Sequence, residues 1–243
     1  MIQVYLSRDL AKDLAPLLPV QPTATGEAVA DAEAGAVIWY AHRVTIMRRK
    51  CIIALEYQSR YAMVFCGVTK PDFKNFPQLF SQRLLQEACV ITQLHQPLPE
   101  PDFQLLCELA KEVSHEQKFA CRNDRSVQSH INQIKDHLED LVLRGAYPLP
   151  ETDEEAMQFG LIANDMLRKT KNHKDYFVPL KVYKEFWLGM IRHVKEQVAG
   201  PVLDEELNEG PDKEPDKEPD KEPKQHDSQH QVIAVDFVKK RRR

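Results

Sequence analysis

The sequence predicts a two-layer α+β fold, in which a mostly antiparallel sheet of four to five strands is packed by helices. Two observations support this prediction. Short apolar runs occupy the first part of the chain, and connections of about three polar residues separate them, which is typical of β-hairpins. Longer segments with apolar residues at helical spacing follow.

Alternating apolar side chains at Ile2, Val4 and Leu6 predict the first strand. Further strands are predicted at residues 37–47, 51–57 and 61–68, with one more short strand at 118–121. Residues 51–55 form an unbroken apolar run, which favours a central strand that is covered on both faces.

Helices are predicted from their caps and apolar stripes. Ser7 is a predicted N-cap for a helix over residues 8–14, and residues 15–36 are expected to form an exposed loop. The remaining helices are predicted at residues 71–93, 102–113, 127–142, 153–170 and 180–198. The third of these has the clearest apolar stripe, and Gly145 is expected to terminate it.

The chain divides into a predicted α+β domain over residues 1–200 and a flexible tail over residues 201–243. The tail carries three Pro-Asp-Lys-Glu repeats, which have no apolar side chain whose burial could offset the entropy of ordering. An apolar and then basic peptide, residues 232–243, ends the chain. We expect this peptide to bind a partner protein by adding to a sheet edge, or to dock on the edge of its own sheet.

Charge and cysteine content exclude several classes of protein. Residues 201–243 hold twelve of the 37 acidic residues and nine of the 33 basic ones, so the body is almost neutral and lacks the positive field of a non-specific nucleic-acid binder. The five cysteines form no C-x-x-C pair, which favours reduced thiols. No signal peptide and no apolar run of ~20 residues is visible, so we expect a cytoplasmic protein without membrane contact.

The first group of candidate ligand-binding residues surrounds the start of the helix with the clearest stripe: Arg122, Asn123, Arg125, Ser126, His130 and Asn132. In the structural interpretation, Asn123, Asp124 or Ser126 caps this helix. In the functional interpretation, the helix amides and the two arginines bind a phosphate or carboxylate.

The second candidate group is Arg48, Arg49 and Lys50, at a predicted hairpin turn. It is either a solvated turn or a contact surface for nucleic acid or an acidic partner. Glycine-rich phosphate loops and zinc-type Cys/His spacings are absent from the sequence, so we expect no cofactor and no metal.

Several segments resemble a family of uncharacterised bacterial proteins that is known as a domain of unknown function. They are residues 1–6, 39–42, the Arg-Arg-Lys-Cys motif at 48–51, 67–73, and the Asn-x-Arg-Ser-Val motif at 123–127. The resemblance covers roughly residues 1–190 and implies a bacterial intracellular protein. It also implies that the two motifs share a pocket, and it supplies no activity.

The leading functional hypothesis is a non-enzymatic binding or regulatory protein that recognises a partner protein or an anionic ligand through these basic and amide groups. The alternative is a metal-independent nuclease-like enzyme, in which His42 or His130 acts near Arg125 in an open pocket. An accessory factor of a mobile element or defence system is a third possibility.

Overall fold

A six-stranded mixed sheet forms the middle of the molecule. The structure is a computed structural model, and it describes residues 1–21, 35–94, 96–170 and 175–199. The strands are β1 (Ile2–Leu6), β2 (Val20–Gln21), β3 (Val37–Ile46), β4 (Arg49–Glu56), β5 (Ala62–Phe65) and β6 (Gln117–Cys121). Their order across the sheet is β2-β6-β1-β3-β4-β5.

The prediction of a mostly antiparallel sheet is wrong. Strand β1 lies between β3 and β6 and pairs in parallel with both, and β2 pairs in parallel with β6. Only β3, β4 and β5 form the antiparallel hairpins that their short connections indicated. Connection length reports on neighbouring strands in the chain, whereas β1 and β6 meet across more than 100 residues. Strand β2 lies in a segment predicted to be a loop.

The helices lie close to their predicted positions. They are α1 (Arg8–Leu14), α2 (Lys70–Lys74), α3 (Phe76–Gln93), α4 (Glu100–His115), α5 (Arg125–Leu143), α6 (Asp153–Asn164) and α7 (Pro179–Ala199). The helix predicted over residues 71–93 is in fact two, because the chain leaves the helical path at Asn75. Helix α6 ends at Asn164, six residues before its predicted end.

Helices cover both faces of the sheet, so the molecule has three layers and the two-layer prediction is wrong. On one face, side chains such as Trp39 pack against α1, α3, α4 and α7. On the other face, side chains such as Tyr40 pack against α5 and α6. Alternate residues of each strand therefore enter two different cores. All five residues of β1 are buried, although Gln3 interrupts the apolar pattern.

The continuous apolar run in β4 is explained by burial of both faces of the strand, as predicted. Ile52 and Ala54 enter the first core, and Cys51, Ile53 and Leu55 enter the second. A strand that is buried on both faces needs no polar alternation.

Strand β5 forms one edge of the sheet, and side chains occupy three of its outward-facing backbone groups. The Asn164 side chain accepts a hydrogen bond from the Ala62 N–H (2.7 Å) and donates one to the Ala62 carbonyl (2.8 Å). The Arg83 guanidinium donates to the Val64 carbonyl at 3.1 Å. These contacts satisfy backbone groups that an edge strand otherwise exposes.

The predicted tail and its peptide lie outside the described residues, and the division at residue 200 stays a prediction. Within the described ranges, no helix combines the length and the apolarity that crossing a bilayer requires.

Candidate functional site

The basic hairpin lies at the tip of β3 and β4. Met47 and Arg48 form its two-residue turn, and both have positive φ angles (46° and 67°), as a type I′ turn requires. Arg49 forms an exposed ion pair with Glu151 at 3.0 Å. Lys50 Nζ lies 5.8 Å from the centre of the Phe73 ring. Arg49 and Lys50 therefore point to different neighbours.

The polar group at the start of α5 behaves partly as the structural interpretation expects. Asp124 is the N-cap, and its carboxylate accepts a hydrogen bond from the Val127 N–H at 2.9 Å. Four of the predicted ligand-binding residues are exposed: Asn123, Arg125, Ser126 and Asn132. The other two, Arg122 and His130, face the sheet and belong to the cluster described below.

The structure does not bring the hairpin and the start of α5 into one pocket. Cys121, at the end of β6, lies level with Leu6, and Leu6 pairs with Ala41 of β3. Strand β3 continues five residues further, to Ile46, before the turn. At ~3.3 Å per residue, the turn lies roughly 16 Å beyond the end of β6.

A different set of residues comes together on the face of the sheet that α5 and α6 cover. We call it the tyrosine–arginine cluster, and its members are Tyr5, Tyr40, Tyr57, Arg60, Arg122, His130 and Arg168. They come from β1, β3, the ends of β4 and β6, the β4–β5 turn, the second turn of α5, and the segment after α6.

The rings form a row with a guanidinium group at each end. The Tyr5 and Tyr40 ring centres are 5.2 Å apart, and those of Tyr40 and Tyr57 are 5.9 Å apart. Arg122 lies over Tyr5, with its Cζ 5.4 Å from the ring centre, and Arg60 lies over Tyr57 at 4.9 Å. Cation–π contact of this kind holds the planar guanidinium groups in place.

Polar atoms without partners concentrate in this cluster. Tyr40 is fully buried, and Arg60, Arg168 and His130 are only 5%, 4% and 7% exposed. Among the described residues, ten buried side-chain N and O atoms lack a hydrogen-bond partner, and six of the ten belong to these four residues. They are Tyr40 Oη, Arg60 Nε and Nη1, His130 Nδ1, and Arg168 Nε and Nη2. Buried polar groups are normally satisfied, so this concentration needs an explanation.

Local structure fixes Arg60 in its position. It lies in the connection between β4 and β5 and has a φ of 60°, in the left-handed region that residues other than glycine rarely adopt. The buried Glu56 carboxylate holds the turn by accepting hydrogen bonds from the backbone N–H groups of Gln58 (3.0 Å) and Ser59 (2.6 Å). These hydrogen bonds therefore hold the turn, and with it the strained backbone conformation of Arg60.

Both backbone groups of Arg168, the N–H and the carbonyl, are hydrogen-bonded. Its backbone N–H donates to the Phe177 carbonyl at 2.8 Å, and its own carbonyl accepts from the Phe177 N–H at 2.9 Å. One guanidinium nitrogen, Nη1, donates to the Gln133 side chain at 2.9 Å. The remaining buried nitrogens, Nε and Nη2, lack a partner in the described part of the chain.

Interactions between charges connect the members of the cluster. Burial lowers the pKa of Arg60, and Glu56 and Asp124 oppose this effect. Burial also lowers the pKa of Arg168, and no described acid opposes it. Arg60 and Arg168 both act on His130, where burial and these two charges lower the pKa to about 4. Burial and the Asp124 charge raise the pKa of Tyr40.

The histidines do not fit the nuclease-like alternative. That hypothesis needs His42 or His130 in an open pocket beside Arg125, and both histidines are buried. Burial lowers the pKa of His42 to about 4 as well, so both rings are neutral near pH 7. A neutral buried ring can accept a proton only at a large cost in free energy.

Sequence reasoning identified Arg122 and His130 but missed Tyr40, Arg60 and Arg168. Arg60 lies in a short polar connection that resembles any hairpin turn, and Arg168 lies in a segment predicted to be helical. The three tyrosines are far apart in the chain, and no spacing motif joins them. The positive φ angle at Arg60 is visible only in the structure.

Fold and site together define a three-layer α/β domain with a buried cationic cluster between its sheet and two helices. The family model described as a domain of unknown function, DUF6933, matches residues 3–182, and the chain belongs to that family. The resemblance to an uncharacterised domain family is therefore confirmed, while the bacterial origin stays a prediction. No curated protein matches the chain.

Proposed function

We propose that this protein binds a small anionic ligand in the tyrosine–arginine cluster. The observation that supports the proposal most directly is the pair of buried guanidinium groups, Arg60 and Arg168, which keep N–H groups without partners. Leaving a buried charge unpaired typically costs about 3–5 kcal/mol. A bound anion would remove this cost, because guanidinium groups form strong charge-assisted hydrogen bonds with phosphate and carboxylate.

The distribution of charge favours an anion over a neutral ligand. Glu56 and Asp124 compensate part of the positive charge of Arg60, but Arg168 has no such acid among the described residues. Glu56 is also committed to its own turn, where the N–H groups of Gln58 and Ser59 donate to it. The cluster therefore keeps uncompensated positive charge where water is largely excluded, and there a Coulomb interaction is strong.

The unpartnered groups of the cluster lie beneath a layer of half-buried residues. Tyr57, Arg122 and Asp124 are half-buried and form its outer boundary, while Tyr40, Arg60 and Arg168 lie beneath the surface. A small ligand fits this arrangement better than a polymer such as nucleic acid. Binding of a partner protein through residues 232–243 stays a separate prediction.

Arg60→Met and Arg168→Met test the proposal, with Arg125→Met as the matched control because Arg125 is exposed on the first turn of α5. Thermal unfolding is measured with millimolar oxyanions at constant ionic strength, so that general salt effects cancel. The wild type should be stabilised by about 2.7 kcal/mol when the anion reaches ~100 times its Kd. The control should behave in the same way.

The two cluster variants should lose this stabilisation. Without any anion they should be as stable as the wild type or more so, because methionine removes a buried, unpaired charge. The opposite pattern, in which Arg60→Met and Arg168→Met unfold more easily but still respond to anions, would show that the arginines are purely structural.

A further inference from the structure

We infer that the ligand of the tyrosine–arginine cluster is a tetrahedral oxyanion that carries a proton of its own, of which inorganic phosphate is the simplest example. Fully ionised tetrahedral anions such as sulfate should be rejected. This inference rests on the proposed function and adds to it a chemical class of ligand and a residue that selects it. That residue is His130.

His130 presents a hydrogen-bond acceptor to the cluster. Its ring is neutral near pH 7, because it is buried between two cationic side chains. In a neutral imidazole one nitrogen donates and the other accepts. Nδ1 has no partner among the described residues, and the nearby charges of Arg60 and Arg168 favour a lone pair over an N–H group on the nitrogen that faces them, so we assign the proton to Nε2 and a free lone pair to Nδ1.

The other unpartnered atoms are donors. Arg60 and Arg168 provide guanidinium N–H groups, and Tyr40 provides a hydroxyl group. These three side chains belong to the β4–β5 turn, the segment after α6, and the centre of β3, so they approach from different directions. A planar carboxylate has only two oxygen atoms to share among them, whereas a tetrahedral ion has four. The shape and number of donors therefore favour the tetrahedral ion.

The acceptor on His130 distinguishes one tetrahedral ion from another. Phosphate and arsenate keep at least one proton near pH 7 and can donate an O–H to Nδ1. Sulfate and molybdate have no proton, so their oxygen lone pairs would face the lone pair of Nδ1. A site that leaves a buried acceptor unpaired loses about 1–3 kcal/mol. The preference for phosphate over sulfate should therefore be at least about fivefold.

The experiment measures binding of phosphate, arsenate, sulfate and molybdate to the wild-type protein at pH 7 by titration calorimetry, at constant ionic strength. Phosphate and arsenate should bind at least about fivefold more tightly than sulfate and molybdate. The four ions give this result without any substitution, so the test does not depend on whether a variant folds.

His130→Phe removes the acceptor and keeps a ring, and it should reduce the phosphate-to-sulfate ratio to about one through loss of phosphate affinity. The matched control is His137→Phe, since His137 lies on the same helix with its ring 6.1 Å from that of Phe159. The control should keep the wild-type ratio.

Two results would overturn the inference, and they are distinguishable from each other. If all four ions bind equally and Arg60→Met abolishes the binding, the selectivity is wrong and the proposed anion site stands. If none of the four ions binds, or if binding does not change in Arg60→Met and Arg168→Met, the proposed function fails as well.

Discussion

Glu87 should make the stability of this protein fall as the pH rises from acidic to slightly basic. The Glu87 side chain is completely buried. It accepts a hydrogen bond from the Tyr61 hydroxyl at 2.6 Å, and Arg83 Nη1 lies 3.4 Å from its carboxylate. Burial outweighs the opposing effects of Arg83 and Tyr61 and raises the pKa of Glu87 from 4.5 to about 7.

The size and sign of the effect follow from this shift. A raised carboxyl pKa means that the folded protein binds the proton more tightly than the unfolded chain. The stabilising contribution is therefore complete below pH 4.5 and is lost as the pH rises through 7. At 1.36 kcal/mol per pKa unit, it amounts to about 3 kcal/mol.

Glu87→Gln isolates this contribution, because glutamine does not titrate and every other group cancels when the variant is compared with the wild type. Urea unfolding is measured from pH 4.5 to 8.5. The free energy of unfolding of the variant, relative to the wild type, should rise by about 3 kcal/mol over this range and then level off. Glu196→Gln, at an exposed position of α7, should give a difference that does not change with pH.

A pH-independent difference for Glu87→Gln would refute the reasoning. It would mean that Glu87 stays ionised throughout, and that the positive charge of Arg83 outweighs the effect of burial.

Three further predictions concern other buried polar groups. Burial lowers the pKa of His42 to about 4, so the contribution of His42 to stability is present above pH 6.5 and lost as the pH falls through 4. Between pH 7 and pH 4, the free energy of unfolding of His42→Gln, measured with urea, should therefore fall by about 3 kcal/mol less than that of the wild type. An equal fall in both proteins would contradict this prediction. Asp124→Ala should reduce the free energy of unfolding by about 1 kcal/mol through loss of the α5 cap, whereas Asn123→Ala should change it little, and the reverse order would move the cap. Asn164→Ala leaves both backbone groups of Ala62 without their partner and should cost about 3 kcal/mol in the same assay, so a loss below about 1 kcal/mol would argue against this role.

The sequence predicts the elements of this fold better than their arrangement. Helix α1 begins and ends where the Ser7 cap and the apolar pattern place it, and the unbroken apolar run identifies β4 as a strand covered on both faces. The pairing of the strands could not be predicted in this way, because β1 pairs with β6 in a register that no local sequence pattern encodes. A parallel pair between distant strands depends on tertiary packing, and periodicity reports only on the strand itself.

The candidate site shows the same division between local and non-local information. Arg122 and His130 were identifiable because they flank a helix start with a strong apolar stripe. Arg60 and Arg168 could not be found in this way. What distinguishes them is that buried N–H groups of their guanidinium side chains lack a hydrogen-bond partner, and burial is not visible in the sequence. Exposed basic runs such as Arg48 and Arg49 are conspicuous in a sequence, yet in the structure it is the isolated arginines Arg60 and Arg168 that are buried.

The side chains bound to the outer edge of β5 restrict how this protein can associate with other chains. A strand from a second copy, or the apolar peptide at residues 232–238, would find the Ala62 backbone already engaged by Asn164 and could join the sheet there only by displacing that side chain. The Asn164 amide thus makes the two hydrogen bonds with Ala62 that the backbone of a seventh strand would make. Removal of this side chain should make the protein prone to self-association as well as less stable, because strands from other copies could then pair with β5.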